Sequence, residues 1–161
     1  MVVIVMGVVG SGKTTVGSLL AAELGWQFAD ADDFHSPENK RKIHDGIALG
    51  DEDRAPWLAN LRDQVSAWIA ECQNAVLACS ALKRRYRQEL QVDAAVRFVY
   101  LKGDAELIAS RLHSRHGHFA DAKILASQFA DLEEPDSAVT VGIAAPPHAV
   151  VDMIREKLGL A

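Results

Sequence analysis

A segment near the start of the chain, Gly7 to Thr14, constrains the fold more than any other. It reads G-V-V-G-S-G-K-T and fits the phosphate-binding pattern G-x-x-x-x-G-K-[ST] without a mismatch. The pattern is informative only when a strand precedes it and a helix follows it. Val2 to Met6 form an apolar, mostly β-branched run, and apolar residues recur at helical spacing from Val16 to Leu24, where Gly25 can end the helix. The segment therefore predicts a nucleotide site between a strand and a helix.

The spacing of this segment follows from its chemistry. Its glycines let the backbone curl so that N–H groups point at phosphate oxygens, and the helix start adds a partial positive charge. Lys13 would reach the β- and γ-phosphates, and the Thr14 hydroxyl would bind Mg²⁺. A plain glycine turn is the alternative, which the matching flanks disfavour. The predicted ATP-binding residues of the loop are Gly7, Val8, Val9, Gly10, Ser11, Gly12, Lys13, Thr14 and Thr15.

Length and composition exclude several classes of protein. The 161 residues fit one domain, 1–161, and a hydrophobic content of 49% excludes a disordered or fibrous chain. The net charge of -5 argues against a general nucleic-acid binder. No apolar run approaches the length of a membrane span, and the first residues lack the basic prefix and cleavage site of a signal peptide. We therefore expect a cytoplasmic protein with neither a nucleic-acid nor a membrane partner.

Apolar runs alternate with stretches of helical character along the whole chain. The runs lie at 2–6, 27–29, 75–79, 96–101 and, less clearly, 139–143. This alternation predicts right-handed crossovers and a parallel sheet with helices on both faces, which is a three-layer α/β fold. A last helix from about Pro147 to Leu158 carries apolar residues at core spacing.

Three carboxylates, Asp30, Asp32 and Asp33, follow Phe28 at the predicted carboxyl end of the second strand. Open α/β sheets bind their ligands at this edge. In an extended segment Asp30 and Asp32 point the same way and Asp33 points the other way, which nominates the first two as a pair. Asp32 can accept a proton from a substrate hydroxyl, while Asp30 can hold Asp32 or a metal-bound water. A solvated acidic turn that caps the next helix is the alternative, and spacing alone leaves both open.

Arg54 lies at the predicted start of a helix, after three acids at 51–53 and before Pro56, which suits a first turn. A cation in this place opposes the helix dipole. Two explanations remain open for it. Either Arg54 pairs locally with the neighbouring acids, or it faces the cleft and grips a substrate carboxylate with its planar guanidinium.

A basic cluster follows the third predicted strand, with four cations at Lys83, Arg84, Arg85 and Arg87. Lys83 and Arg87 share a helical face, so we interpret them as candidates for the substrate side of the cleft. Arg84 and Arg85 point elsewhere and are expected in solvent. A wholly solvated basic face is the alternative.

A second pair of cations, Arg111 and Arg115, is spaced four residues apart on a predicted helix. Like charges at this spacing repel unless an anion lies between them, and a triphosphate would serve. The Gly-containing stretch that follows would be a mobile lid, at approximately 111–121, that closes to exclude water. His118 is a candidate lid contact.

These segments together resemble one family, the small gluconate kinases, which are P-loop enzymes that phosphorylate D-gluconate to 6-phosphogluconate. The motifs besides the phosphate loop are D-A-D-D-F-H (30–35), L-G-D-E-D-R-A-P-W-L (49–58), C-S-A-L-K-R-R-Y-R (79–87), Y-L-K-G-D (100–104), S-R-L-H-S-R-H-G-H-F (110–119) and Q-F-A-D-L-E-E-P (128–135). Two segments depart from the family pattern. The usual acidic turn reads V-G-I-A-A-P-P at 141–147, and the family's Met-x-x-Gly-x-Pro is replaced at 43–48.

The resemblance implies a five-stranded parallel sheet like that of shikimate and nucleoside monophosphate kinases, with ATP and Mg²⁺ at the loop, and a homodimer. It implies that Asp32 is the base near the 6-hydroxyl, that Arg111 contacts the adenine side and that Arg115 contacts the phosphates. The catalytic residues would be Lys13, Asp32 and Arg115. The substrate-binding residues would be Asp32, His35, Lys42, Arg54, Lys83, Arg87 and His118.

Two other functions compete with phosphorylation of D-gluconate. One is a small-molecule kinase with another acceptor, such as shikimate or adenylylsulfate, against which the D-R-x-P-W-L segment argues. The other is a nucleotide-sensing module without an acceptor. The arginines of the predicted lid and the lack of an N-K-x-D guanine signature disfavour it.

Overall fold

Five strands form one parallel sheet in the computed structural model, which describes residues 1–116 and 119–160, without the side chains of 115, 116 and 119–121. The order of the strands across the sheet is β2-β3-β1-β4-β5. Each predicted strand is confirmed to within one residue at either end. The strands are β1 (Val2–Met6), β2 (Gln27–Asp30), β3 (Ala75–Ala78), β4 (Val96–Lys102) and β5 (Val139–Gly142).

Helices connect the strands and cover both faces of the sheet, as predicted. A short 3-10 turn, Ala31–Phe34, follows β2. The last helix begins and ends where the sequence predicts. The helices are α1 (Lys13–Leu24), α2 (Pro37–His44), α3 (Asp51–Ala70), α4 (Arg84–Leu90), α5 (Ala105–His116), α6 (Phe119–Asp131) and α7 (Pro147–Leu158).

Strand β1 shows why the fold has three layers. Val3 and Val5 belong to one buried cluster, which also contains residues of α1, α5, α6 and α7. Val2, Ile4 and Met6 belong to the other cluster, which contains residues of α3 and α4. Successive side chains of a strand point to opposite faces, so a strand buried on both faces must be apolar at every position. All five residues of β1 are fully buried.

The topology opens a crevice at the carboxyl edge of the sheet. After β1 the chain builds β2 and β3 on one side, and it then crosses to β4 and β5 on the other side. Ligands of open α/β sheets bind where the strand order reverses in this way. The segments that follow β1, β2 and β3 all begin at this edge, and they supply the candidate site.

One local prediction for α3 is wrong. The helix begins at Asp51, so Pro56 lies inside it and not in its first turn. A proline there cannot donate to the carbonyl of Glu52, which is exposed and open to water. Trp57 and Leu58 are buried, and they begin the core face of the helix as predicted.

None of the helices in the described part of the chain combines the length and the apolar character that crossing a bilayer requires.

Candidate active site

The phosphate loop joins β1 to α1 and leads directly into the first turn of that helix. Gly10 and Gly12 have φ values of 79° and 96°, a region that glycine occupies without strain. The Lys13 Nζ atom donates to the carbonyl oxygen of Val8 at 3.0 Å. Burial lowers the pKa of Lys13, and the nearby Asp32 opposes this shift. The loop therefore holds its lysine close to the backbone groups that would surround a phosphate.

Helix α6 contributes a contact to this loop that the sequence interpretation did not assign. The Gln128 side-chain oxygen Oε1 accepts a hydrogen bond from the backbone N–H of Val9 at 2.6 Å. Gln128 begins one of the motifs that carry the resemblance, yet its residue type alone gives no sign of this partner. A second polar atom of the loop, the Ser11 hydroxyl, is buried with no hydrogen-bond partner among the described residues.

Asp30 connects the loop to the second strand. One of its carboxylate oxygens accepts a hydrogen bond from the Thr14 hydroxyl at 2.6 Å, and the other accepts one from the backbone N–H of Asp32 at 3.0 Å. Asp30 thus caps the 3-10 turn, which is the alternative left open by spacing, and it also orients Thr14. The prediction that Asp30 and Asp32 point the same way from one extended segment is wrong, because Asp32 lies in the 3-10 turn.

Asp30 and Asp32 nevertheless line the same cleft as Lys13 and Thr14. The pKa of Asp32 is raised, because the surrounding protein desolvates the carboxylate and Asp30 adds a like charge, while Lys13 opposes both effects. A carboxylate of raised basicity next to a phosphate loop is well placed to accept a proton from an attacking hydroxyl.

Arg54 of α3 lines the same cleft. Its side chain is 13% exposed and pairs with Asp131 of α6, with the two guanidinium nitrogens 3.5 and 3.4 Å from one carboxylate oxygen. Its Nη1 also donates to the hydroxyl of Tyr86 at 3.1 Å. The predicted alternative of an ion pair with the acids at 51–53 is therefore wrong. Arg54 faces the cleft, and its partner comes from a different helix.

His35 also lines the cleft and is largely buried. Its ring stacks on Trp57 with 4.4 Å between the ring centroids, and its Nδ1 lies 3.3 Å from the Asn39 side-chain nitrogen. The Trp57 indole N–H donates to the carbonyl of Ala31 at 2.7 Å, which ties the stack to the turn that carries Asp32. Burial and the charge of Arg54 lower the pKa of His35 to about 4. The imidazole is therefore neutral at physiological pH.

The structure does not bring two of the predicted substrate-binding lysines to the cleft. Lys83 Nζ binds the carboxylate of Asp51 at 3.1 Å, and Lys42 Nζ binds that of Asp53 at 2.9 Å. Neither lysine is among the described residues that line the cleft. Asp53 also accepts from the backbone N–H of Gly50 at the start of α3, so Lys42 supports this helix start.

Arg87 is the clearest departure from the predicted substrate set. Its guanidinium is buried and donates to the carbonyls of Ala81, Leu82 and Glu133 at 2.7, 3.0 and 2.7 Å. Ala81 has a positive φ of 45°, which is strained for a residue with a side chain. Arg87 therefore holds a strained segment after β3 to the segment that follows α6, and it is not among the described residues that line the cleft.

Three cations of the predicted substrate side and basic cluster surround the ring of Tyr86. Arg54, Lys83 and Arg85 each lie within 5.8 Å of the ring centroid. The carboxylate of Asp51 binds Lys83, Arg85 and the Tyr86 hydroxyl, and these contacts hold the pKa of Asp51 well below its usual range. Arg85 is half exposed, but it is paired and not simply solvated as predicted.

A second cavity adjoins the loop on the other side of Gly10 and Gly12. It is lined by residues 143–147 and by Arg111, whose guanidinium donates to the carbonyl of Ile143 at 2.6 Å. This places Arg111 beside the segment that departs from the family pattern. The side chain of Arg115 and the whole of His118 lie outside the described residues, as does part of the predicted lid at 111–121.

Several apolar or small residues of the cleft were not nominated as site residues from sequence, although the segment 43–48 was noted as a departure from the family pattern. Ile43 and Ile47 line the cleft although they are 41% and 51% exposed, and Ile124 and Ser127 of α6 line it as well. An isoleucine at the end of the otherwise polar helix α2 is a signal that could have nominated Ile43.

A loop that can surround a triphosphate, with a basic carboxylate and an arginine lining the same cleft, defines a P-loop kinase that acts on a small molecule. A family model described as shikimate kinase matches residues 9–134. Among curated relatives, a probable gluconokinase of Rattus norvegicus is 46% identical, with 84% of each chain covered. The gluconokinase of Gluconobacter oxydans is 43% identical, covering 96% of this chain and 87% of its own.

The solved structures agree with the relatives. A gluconokinase from Sinorhizobium meliloti superposes with a TM-score of 0.88 at 40% identity, covering 98% of this chain and 90% of that one. The chain belongs to the gluconokinase family, a group of P-loop kinases with the fold of shikimate kinase.

Proposed function

We propose that this protein phosphorylates D-gluconate on its 6-hydroxyl, with ATP as the donor and ADP as the second product. The observation that carries the proposal is the single cleft that Lys13, Asp32 and Arg54 share. A donor loop, a proton acceptor and a carboxylate-binding cation are the three parts that a sugar-acid kinase needs. The family membership of the chain supports the choice of gluconate.

On the donor side, the loop N–H groups and Lys13 would hold the β- and γ-phosphates of ATP. The residues fit Mg²⁺ as well, because Thr14 and Asp30 present neighbouring oxygen ligands, and this ion takes few protein ligands beside phosphate and water. When bound, Mg²⁺ neutralises charge that develops on the phosphates. Arg111 would contact the adenine side and Arg115 the phosphates. These roles rest on the resemblance and on the position of Arg111 in the second cavity.

On the acceptor side, Arg54 would bind the gluconate carboxylate and orient the other end of the chain towards the loop. The 6-hydroxyl oxygen then bonds to the γ-phosphorus while the bond to the leaving ADP oxygen breaks, and Asp32 takes up the hydroxyl proton. Neutral His35 offers a ring nitrogen that can bind a sugar hydroxyl without adding charge. Lys42, Lys83 and Arg87 act at a distance from the acceptor in this proposal.

The remaining features of the proposal rest on the resemblance. The segment at approximately 111–121, with Arg115 and His118, would close over the phosphates and exclude water from the reaction. The enzyme would function in the cytoplasm as a homodimer. Light scattering of the purified protein tests the dimer, and a monomer mass at micromolar concentration would contradict it.

A coupled assay of ADP release tests the reaction. We expect release that depends on gluconate and exceeds the release with shikimate, adenylylsulfate or glucose. Arg54→Met should raise the KM for gluconate at least tenfold with little change in the KM for ATP, because it removes a charge-assisted contact to the acceptor alone. Faster turnover with another acceptor would contradict gluconate, and nucleotide binding without any turnover would favour the sensing module.

A further inference from the structure

The ion pair between Arg54 and Asp131 has a geometry that leaves the arginine open to a second carboxylate. Both terminal nitrogens of Arg54 lie 3.4 to 3.5 Å from the same oxygen, Oδ2 of Asp131. A guanidinium that binds a carboxylate well uses two oxygens at about 2.7–2.9 Å. The existing contacts are at the long limit of a hydrogen bond. A carboxylate that arrives from the cleft can therefore bind Arg54 better than Asp131 does.

The charges around Arg54 show what Asp131 contributes. Arg54, Lys83 and Arg85 surround the Tyr86 ring, and Asp51 binds the latter two. Among the described residues, Asp131 is the one carboxylate that forms an ion pair with Arg54. Without it, the guanidinium would be an uncompensated charge that is only 13% exposed.

Local structure gives no separate reason for an acid at position 131. Asp131 is the last residue of α6, and this helix has no basic residue in its last turn. A negative charge at a helix C-terminus opposes the helix dipole. Asp131 also lies outside the cleft, whereas Arg54 lines it. The acid therefore contacts Arg54 without being one of the described residues that line the cleft.

We propose that Asp131 limits the affinity for the acceptor, as an internal counter-ion that weakens the binding of acceptor carboxylates by Arg54. This inference rests on the proposed role of Arg54 in binding gluconate. Two carboxylates on one guanidinium lie within roughly 4–6 Å of each other, where like charges disfavour one another. Each bound acceptor anion therefore meets repulsion from Asp131. The residue limits affinity for the anion, and it favours release of a product that keeps the same carboxylate.

The decisive variant is Asp131→Asn, which keeps an oxygen that can accept from Arg54 but removes the charge. We expect the KM for gluconate to fall about three- to tenfold, the KM for ATP to stay the same, and the effect to shrink as salt is raised. A residue that only stabilised the fold would not lower a KM. Asp131→Ser is a second neutral variant with the same expected direction, should the asparagine variant fail to fold.

Asp136→Asn is the matched control. Asp136 pairs with Arg84 at the same distance of 3.4 Å, but this pair is exposed and lies away from the cleft. The control changes the net charge equally and should leave both KM values unchanged. Normal turnover of the wild type together with an unchanged or higher gluconate KM in the Asp131 variants would overturn the role of Asp131 alone. A wild type without gluconate-dependent ADP release would instead contradict the proposed function.

Discussion

The two halves of the cleft are built from different kinds of group. The donor half consists mainly of backbone N–H groups between β1 and α1, and Gln128 adds one contact from a distant helix. The acceptor half consists of side chains from the turn after β2 and from α2, α3 and α6, and Tyr86 of α4 contacts its arginine. A contiguous motif specifies the first half, because the backbone N–H groups are placed by the local course of the loop and not by side chains from distant parts of the chain. The second half depends on which side chains the fold brings together.

The halves also differ in how their charges are balanced. Lys13 lies against its own loop, and burial lowers its pKa while the carboxylate of Asp32 opposes the shift. The acceptor cation Arg54 is held between a hydroxyl and a long ion pair. In the proposed function, the donor half binds a strongly charged ligand and the acceptor half binds a weakly held one.

Asp32→Asn should produce the largest effect, and it should act on turnover and not on donor binding. We expect kcat to fall about 10²- to 10⁴-fold with little change in the KM for ATP, because general-base catalysis is lost. The variant should also melt at a higher temperature than the wild type near pH 7. The raised pKa of Asp32 in the wild type means that the native state disfavours the charged carboxylate. A neutral amide removes this cost to the stability of the native state.

The matched control for this variant is Asp33→Asn, which changes the next residue of the same turn outside the cleft. It should keep wild-type turnover. Unchanged kcat in Asp32→Asn would remove Asp32 from the mechanism and leave the acceptor half without a base.

Arg87→Leu should separate structural cations from functional ones. Because the substitution leaves three backbone carbonyls near a strained segment without their donor, we expect a loss of about 4 kcal/mol in the free energy of unfolding. The KM for gluconate should stay within twofold of the wild type at a temperature where the variant is folded. Arg84→Leu, at an exposed position of the same helix, is the control for stability. A large rise in the gluconate KM would return Arg87 to the acceptor half.

The fold and the position of the phosphate loop between β1 and α1 could be predicted almost completely, because periodicity and one motif report local geometry. The strand bounds and the ends of α1 and α7 are correct for this reason. The acceptor half was predicted only in part. Arg87 and Lys83 have suitable charges and spacing, but the partners that occupy them, such as Glu133 and Asp51, are distant in sequence. Only the packed structure distinguishes a cation that lines the cleft, as Arg54 does, from cations such as Lys83 and Arg87 that bind partners elsewhere.

The buried imidazole of the acceptor wall should make stability depend on pH. His35 has a native pKa of about 4, against about 6.5 in an unfolded chain. Between these values the unfolded state takes up a proton that the native state does not. The contribution of the neutral His35 ring to stability is therefore complete above pH 6.5 and is lost as the pH falls towards 4. The expected loss is about 3 kcal/mol. Denaturant unfolding at several pH values measures it.

In the same series, His35→Gln should flatten the decline over this interval. His44→Gln changes an exposed histidine of the neighbouring helix and should follow the wild type. A decline of equal size in His35→Gln and the wild type would assign the pH dependence to other groups. It would also contradict the neutral state of the His35 ring in the cleft.

Gln128→Leu should give the smallest effect, and it challenges the separation of the two halves most directly. Gln128 lies one turn before Asp131 on α6, so one helix contacts both the donor loop and the acceptor arginine. Removal of its oxygen leaves the Val9 N–H without its partner, and we expect the KM for ATP to rise about tenfold while the KM for gluconate changes less than twofold. Lys123→Ala, on the exposed side of α6, is the control. Equal rises in both KM values would mean that α6 couples the halves, and the donor half would then depend on tertiary structure as much as the acceptor half does.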